Sequence, residues 1–192
     1  MAPHPGPEPL TERPAARRGL ALALLLLAGA LAASLWAGRE QLGSHLAWWA
    51  SGADARIALR YPALSSALDE AGLRRHFAGL PLQCGDAPAG RLCEATLARA
   101  DGVPAARLQL RLQSGQLQST EVSVPWWAHH RAVRALVDQL GAPTAYDRTA
   151  SDPGPPRSMA WELPRGTLRV ALEPGWNPWR WSVLRWSAAG AP

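Results

Sequence analysis

RLQLRLQSGQLQSTEVSV, residues 107–124, reads as two strands joined by a tight turn. Leu108, Leu110 and Leu112 alternate with Arg107, Gln109 and Arg111. Beyond Ser114-Gly115, Thr120, Val122 and Val124 alternate with Ser119, Glu121 and Ser123. A period of two sends one set of side chains to a core and the other to water, as in an antiparallel sheet with one covered face. Upstream, 92–99 reads as a further strand, and Asp101-Gly102 is a strong hairpin signal. The three segments make a three-stranded meander.

Pro125 stops the sheet, and the period changes to that of a helix over 126–140. Val133, Leu136, Val137 and Leu140 form its packing stripe, Gly141 stands just past its end, and Pro143 blocks continuation. A loop over 150–157 follows. A second set of strands comes next: 159–163, a turn at Arg165-Gly166, 168–172, and a final segment over 175–187. On the amino side, Pro62 opens a helix over 62–77, with Leu64, Leu68, Ala71 and Leu73 inward and Asp69, Glu70, Arg74 and Arg75 in water. Neighbouring Asp69 and Glu70 point about 100° apart on a helix and read as surface charge.

The remaining organising stretch is GLALALLLLAGALAASLWAG, 19–38, twenty residues without a charge, preceded by Arg13, Arg17 and Arg18. As a helix it is roughly 30 Å long, the thickness of a bilayer's hydrocarbon core. It reads as a signal-anchor, with a cleaved signal peptide as the alternative because small residues at 28–32 suit cleavage. The three Arg on its amino side put the following domain outside the cytoplasm. The expected organisation is a disordered cytoplasmic tail (1–18), the transmembrane helix (19–38), a helical stem and first helix (39–80), an α+β extracytoplasmic domain (81–188) and a short tail (189–192). The fold class is α+β, with two layers in the order α-β3-α-β3. Its mostly antiparallel sheet is built from two three-stranded sets covered by helices.

All 20 basic residues are Arg, and 17 of them face 13 acids after residue 18. No cluster is denser than a pair, so the chain lacks the concentrated positive face of a nucleic-acid binder. Cys84 and Cys93 are the only cysteines. Eight residues including glycine and proline separate them, which suits a structural disulfide in an oxidising compartment. Neighbouring His129 and His130 lack a further ligand at helical spacing, so no metal or cofactor is expected. No phosphate-cradling loop, nucleophile elbow or zinc-protease helix occurs.

The most function-like feature is the end of the chain, where Trp176, Trp179, Trp181 and Trp186 interleave with Arg180 and Arg185. As a strand it puts Trp179, Trp181 and Val183 on one face and Arg180, Leu184 and Trp186 on the other. The plain reading is a last strand with indoles in the core. The functional one is a binding surface for protein, glycan or membrane. The resulting expectation is a non-catalytic, single-pass protein of the bacterial inner membrane. The bilayer holds 19–38, and the periplasmic domain contacts another envelope protein. A glycan- or small-ligand-binding module using the Trp-rich end is the alternative, and an enzyme of unknown class the third.

Overall fold

The computed structural model describes residues 14–147 and 157–190, apart from the side chains of 14–18, 35, 37, 40 and 41. Residues 1–13 of the expected disordered tail, most of the loop over 150–157 and the last two residues lie outside the described residues, whereas 14–18 of that tail are helical. The chain divides into two compact units, Met1–Gly43 and Ser44–Pro192.

In the first unit, α1 (Pro14–Ala37) runs for 24 residues. α2 (Arg39–Ala50) begins one residue later. Gly38 is the joint, yet its amide still donates to Ser34 and its carbonyl accepts from Leu42, so the helical ladder passes through it. Arg39 lies over the Trp36 ring at 4.9 Å. Among the described residues, no helix is long and apolar enough to cross a membrane. The span expected over 19–38 is therefore not a finding of the fold.

The second unit carries β1 (Arg56–Ile57), α3 (Glu70–His76), β2 (Gln83–Ala87), β3 (Gly90–Thr96), β4 (Arg99–Ala100), β5 (Val103–Pro104), β6 (Arg107–Gln113), β7 (Gln116–Val124), α4 (His129–Leu140), β8 (Ala145–Asp147), β9 (Ser158–Leu163), β10 (Gly166–Ala171) and β11 (Ser182–Ala188). One eight-stranded antiparallel sheet has the order β2-β3-β6-β7-β11-β10-β9-β8. The α+β class and the mostly antiparallel sheet stand. The two three-stranded sets do not: each half has four strands, and β7 pairs with β11 to fuse them. β2 and β8 escape the alternation pattern because they are short edge strands with little to bury.

Two turns follow directly from their residues. Asp101-Gly102 (φ 49° and 78°) and Ser114-Gly115 (φ 52° and 77°) occupy the left-handed region at both positions, as a two-residue hairpin turn demands. Asp101-Gly102 caps only the tip of the β3-β6 hairpin, where β4 and β5 bend away and join β1 in a small second sheet. The turn expected at Arg165-Gly166 is shifted by one residue, because Gly166 is already in β10, opposite Leu163 and Ala188. The helix expected over 62–77 is confined to α3. A short 3-10 turn holds Tyr61–Ala63, and Asp69 caps α3 by accepting from the Gly72 amide at 2.6 Å. Similarly, 126–128 form a 3-10 turn before α4.

The core lies on one face of the large sheet. Leu108, Leu110, Leu112, Val122, Leu184, Trp186, Leu168 and Trp161 point into it. The segment from Leu59 to Phe77 and Ala132 and Leu136 of α4 complete it. Trp161 and Trp186 are the largest fully buried side chains, each hiding roughly 200 Å². Cys84 and Cys93 are direct cross-strand partners in β2 and β3, and they form the expected disulfide. Glu70 leans over this edge and accepts from Arg74 and Arg91, whose bonds hold its carboxyl below the usual range.

Gly166 is required by this packing. A Cβ there would overlap the Ser187 carbonyl oxygen and sit 2.8 Å from the Trp186 ring, whereas one on Gly175 would meet nothing within 4 Å. Gly166→Ala is therefore expected to lower stability by about 1–3 kcal/mol and Gly175→Ala to change it far less. Urea unfolding of the two variants checks the contrast.

Candidate functional site

The face opposite the core is left open by α3 and α4. Its residues are those that alternate with the buried ones, and the register aligns them in rows. Glu94, Gln109, Glu121, Arg185 and Arg169 follow one another across β3, β6, β7, β11 and β10. Gln109 donates to Glu94, Arg185 pairs with Glu121 at 2.9 Å, and Arg169 reaches Asp147 at 3.0 Å. In this row only Glu121 and Arg185 are opposite charges directly across strands, a pairing that stabilises a sheet by a few tenths of a kcal/mol, whereas Arg185 and Arg169 are like charges in register. Arg107 and Arg111 stand in the adjoining rows, are exposed, and bond to nothing else among the described residues.

The Trp-rich end does not form one surface. Trp186 is core, and Arg185 belongs to the open face. Trp176 is 94% exposed, and Arg180 is exposed beside half-buried Trp179. The expected strand starts only at Ser182, so the alternation predicted for Trp179 and Trp181 is not realised. Pro174, Pro178 and the bond from the Trp179 amide to Asn177 shape an irregular approach instead.

Trp181 has a different job. Its ring stacks on His45 at 3.8 Å and 15°, and Trp48 meets it edge-on at 5.7 Å. Its indole N–H donates to Ser44 Oγ at 3.0 Å. His45 Nε2 donates to the Trp179 carbonyl at 3.0 Å, and Trp48 donates to the Leu97 carbonyl at 2.7 Å. The carboxyl half of α2, from Ser44 on, is thus clamped to the sheet by aromatic contacts and three hydrogen bonds. Composition could not reveal this, because His45 and Trp181 are 136 residues apart in the sequence.

Two clefts flank the charged row. One of about 280 Å³ lies under the clamp between Trp48 and Trp181, with Thr96, Arg107 and Ser123 on its floor. The other, about 350 Å³, holds Arg111, Gln118, Ser119, Glu121 and Arg185. Both are at the small end of ligand sites. They offer guanidinium and hydroxyl donors, which suit an anionic or polyhydroxyl group, but no base paired with a nucleophile.

The described pair nearest to a catalytic arrangement is His129 and Ser182, with Nδ1 and Oγ 3.1 Å apart. His129 is fully buried on the covered side of the sheet, and neither residue lines the two clefts. Its Nε2–H donates to the Leu172 carbonyl at 3.4 Å, which leaves Nδ1 to accept from Ser182. His130 is exposed and lies 3.8 Å from Glu173. Among the described residues, the one group with metal-ligand spacing is Glu70, Cys84 and Cys93, whose sulfurs are already bonded to each other. Comparison with protein-family models, curated proteins and solved structures finds no match for this chain.

Burial holds the His129 imidazole below its ordinary 6.5, against the Leu172 carbonyl, which pulls it upward. The unfolded chain therefore takes up a proton first as pH falls. The contribution is complete above the unfolded value and is lost as pH drops towards the folded one. The urea midpoint is expected to fall between about pH 7 and 5, and His129→Asn is expected to flatten that decline. The Glu70 carboxylate acts separately and at lower pH, because its hydrogen bonds from Arg74 and Arg91 hold it below the usual carboxylate range.

Proposed function

We propose that this chain is a membrane-anchored, non-catalytic binding domain of the bacterial envelope that presents the open face of its eight-stranded sheet to another envelope protein. The observation that carries the reading is that face. It is a continuous polar surface crossed by a row of paired charges, with Arg107 and Arg111 unpaired among the described residues and no helix of the core layer covering it. A charge-patterned sheet face favours selective recognition, because a mismatched partner leaves charges uncompensated. The absence of a catalytic motif in the sequence is consistent with binding but does not carry it.

The anchor part of the reading is supported by the twenty uncharged residues 19–38, of which 19–37 lie in the 24-residue α1. Leu20, Leu22, Leu24, Leu25, Leu26, Leu27 and Leu31 are all more than half exposed. Such a helix is ~36 Å long, and leucines around its circumference suit lipid rather than water. The preceding Arg residues favour an external domain, and the disulfide favours an oxidising compartment.

A second reading is favoured by the cleft under the clamp: Trp48 and Trp181 above Arg107, Thr96 and Ser123 suit a small anionic or sugar-like ligand. One experiment addresses both. A photo-crosslinking residue is placed in cells at Arg111 or Gln118 on the open face, at Arg107 in the cleft, and at Arg134 or Asp138 on the exposed side of α4. The adaptor reading expects one protein captured from Arg111 and Gln118 but not from Arg134 or Asp138. Equal capture from both sides, or none from the open face, contradicts it. An adduct of metabolite size at Arg107 alone favours the ligand reading.

A further inference from the structure

A separate aromatic surface lies at the other side of Trp48. A groove of about 250 Å³ is walled by Trp49 and Trp127, with Ala53, Ala98, Arg99 and Pro104 between them. Trp49 is 72% and Trp127 55% exposed. The loop carrying Trp176 is tied to the same region, because Gly175 accepts from the indole of Trp126, the neighbour of Trp127. Leu46, on the same helix as Trp49, is 60% exposed.

These indoles are not exposed for want of a core, since the same chain buries Trp161 and Trp186 almost completely. Nor do their N–H groups tie the fold together. Trp48 and Trp126 donate their N–H groups to carbonyls, whereas those of Trp49, Trp127 and Trp176 have no partner among the described residues. A ring wanting an apolar surround and an N–H wanting an acceptor are both met at the boundary between acyl chains and headgroups. Arg99 adds an exposed guanidinium to the groove wall; its Nη1 donates to the Gly102 carbonyl at 2.8 Å, and its remaining N–H groups suit phosphate oxygens. The chain itself limits the separation: Trp49 follows Gly38, the last residue of the uncharged stretch, by eleven residues, a tether that reaches ~40 Å at most.

We propose that the Trp49–Trp127 groove, with Trp176 beside it, rests on the phospholipid headgroup layer of the bilayer that 19–38 enters, and so orients the domain on the membrane surface. This rests on the anchor reading above, and goes beyond it by assigning lipid to a surface of the folded domain itself. The open sheet face and the membrane-facing surface are then different surfaces, one left for a partner.

The test uses the full chain, with its disulfide intact, in vesicles of phosphatidylcholine and phosphatidylglycerol. Single cysteines replace Ala53 or Ala98 in the groove, Leu25 in α1, and Arg134 on α4 as an aqueous reference, and each carries a nitroxide. Collision rates with oxygen and with a water-soluble nickel chelate are compared. The proposal expects the Leu25 label to be deep and the Ala53 and Ala98 labels to be interfacial, with nickel collisions several-fold below those at Arg134. It also expects Trp49→Ser with Trp127→Ser to return the groove labels to the aqueous value without unfolding. If Leu25 is deep but Ala53 and Ala98 match Arg134, the groove does not touch lipid and the anchor stands. If Leu25 itself is aqueous, the anchor reading fails and the proposal falls with it.

Discussion

The pairing of β7 with β11 is the interaction on which the rest of the second unit depends. Six cross-strand pairs, from Ser119 opposite Ser187 to Val124 opposite Ser182, join two halves that are otherwise complete in themselves. The first half is α3 followed by β2, β3, β6 and β7. The second is α4 followed by β8, β9, β10 and β11. Each half alone would leave an unpaired strand edge and half a core. Fused, they bury Val122, Leu184 and Trp186 at the seam and turn two small sheets into one wide one. A single core on one face leaves a single uncovered face on the other.

How much of this could be read beforehand followed from how regularly each segment obeys one period. The stretch 107–124 alternates without interruption, and its buried residues are the expected ones. The cysteine pair was legible because its spacing and the glycines between the two residues suit a short loop closed by a disulfide. The helix over 62–77 was overextended because Leu64 and Leu68 have helical spacing, yet Leu64 is buried from a non-helical segment and only Asp69 supplies a cap. Spacing reports burial, and burial does not require a helix. The fusion of the two halves had no local signal at all, since strand pairing across more than fifty residues is a tertiary choice.

The tryptophans make the same point at the candidate site. Trp176, Trp179, Trp181 and Trp186 look alike in sequence, yet one is solvent-exposed, two belong to the seat of α2 and one is core. What separates them is the irregular backbone before Ser182, which alternation cannot describe. The partners that give Trp181 its role, Ser44, His45 and Trp48, come from a stem helix whose own pattern is only weakly amphipathic. The clamp also shapes one of the two clefts, so the same contacts that fix the end of the stem helix define how much of the open face stays accessible.

The claim that one seam makes one platform is tested most directly by hydrogen exchange on the intact, disulfide-bonded protein. Amides of β7 and β11 should be the slowest to exchange and should share a common opening free energy with β6 and β10, while the edge strands β2 and β8 exchange earlier. If β7 and β11 exchange as fast as the edges, or the two four-stranded halves open with clearly different free energies, the sheet is not one cooperative unit and the account of a single open face is wrong.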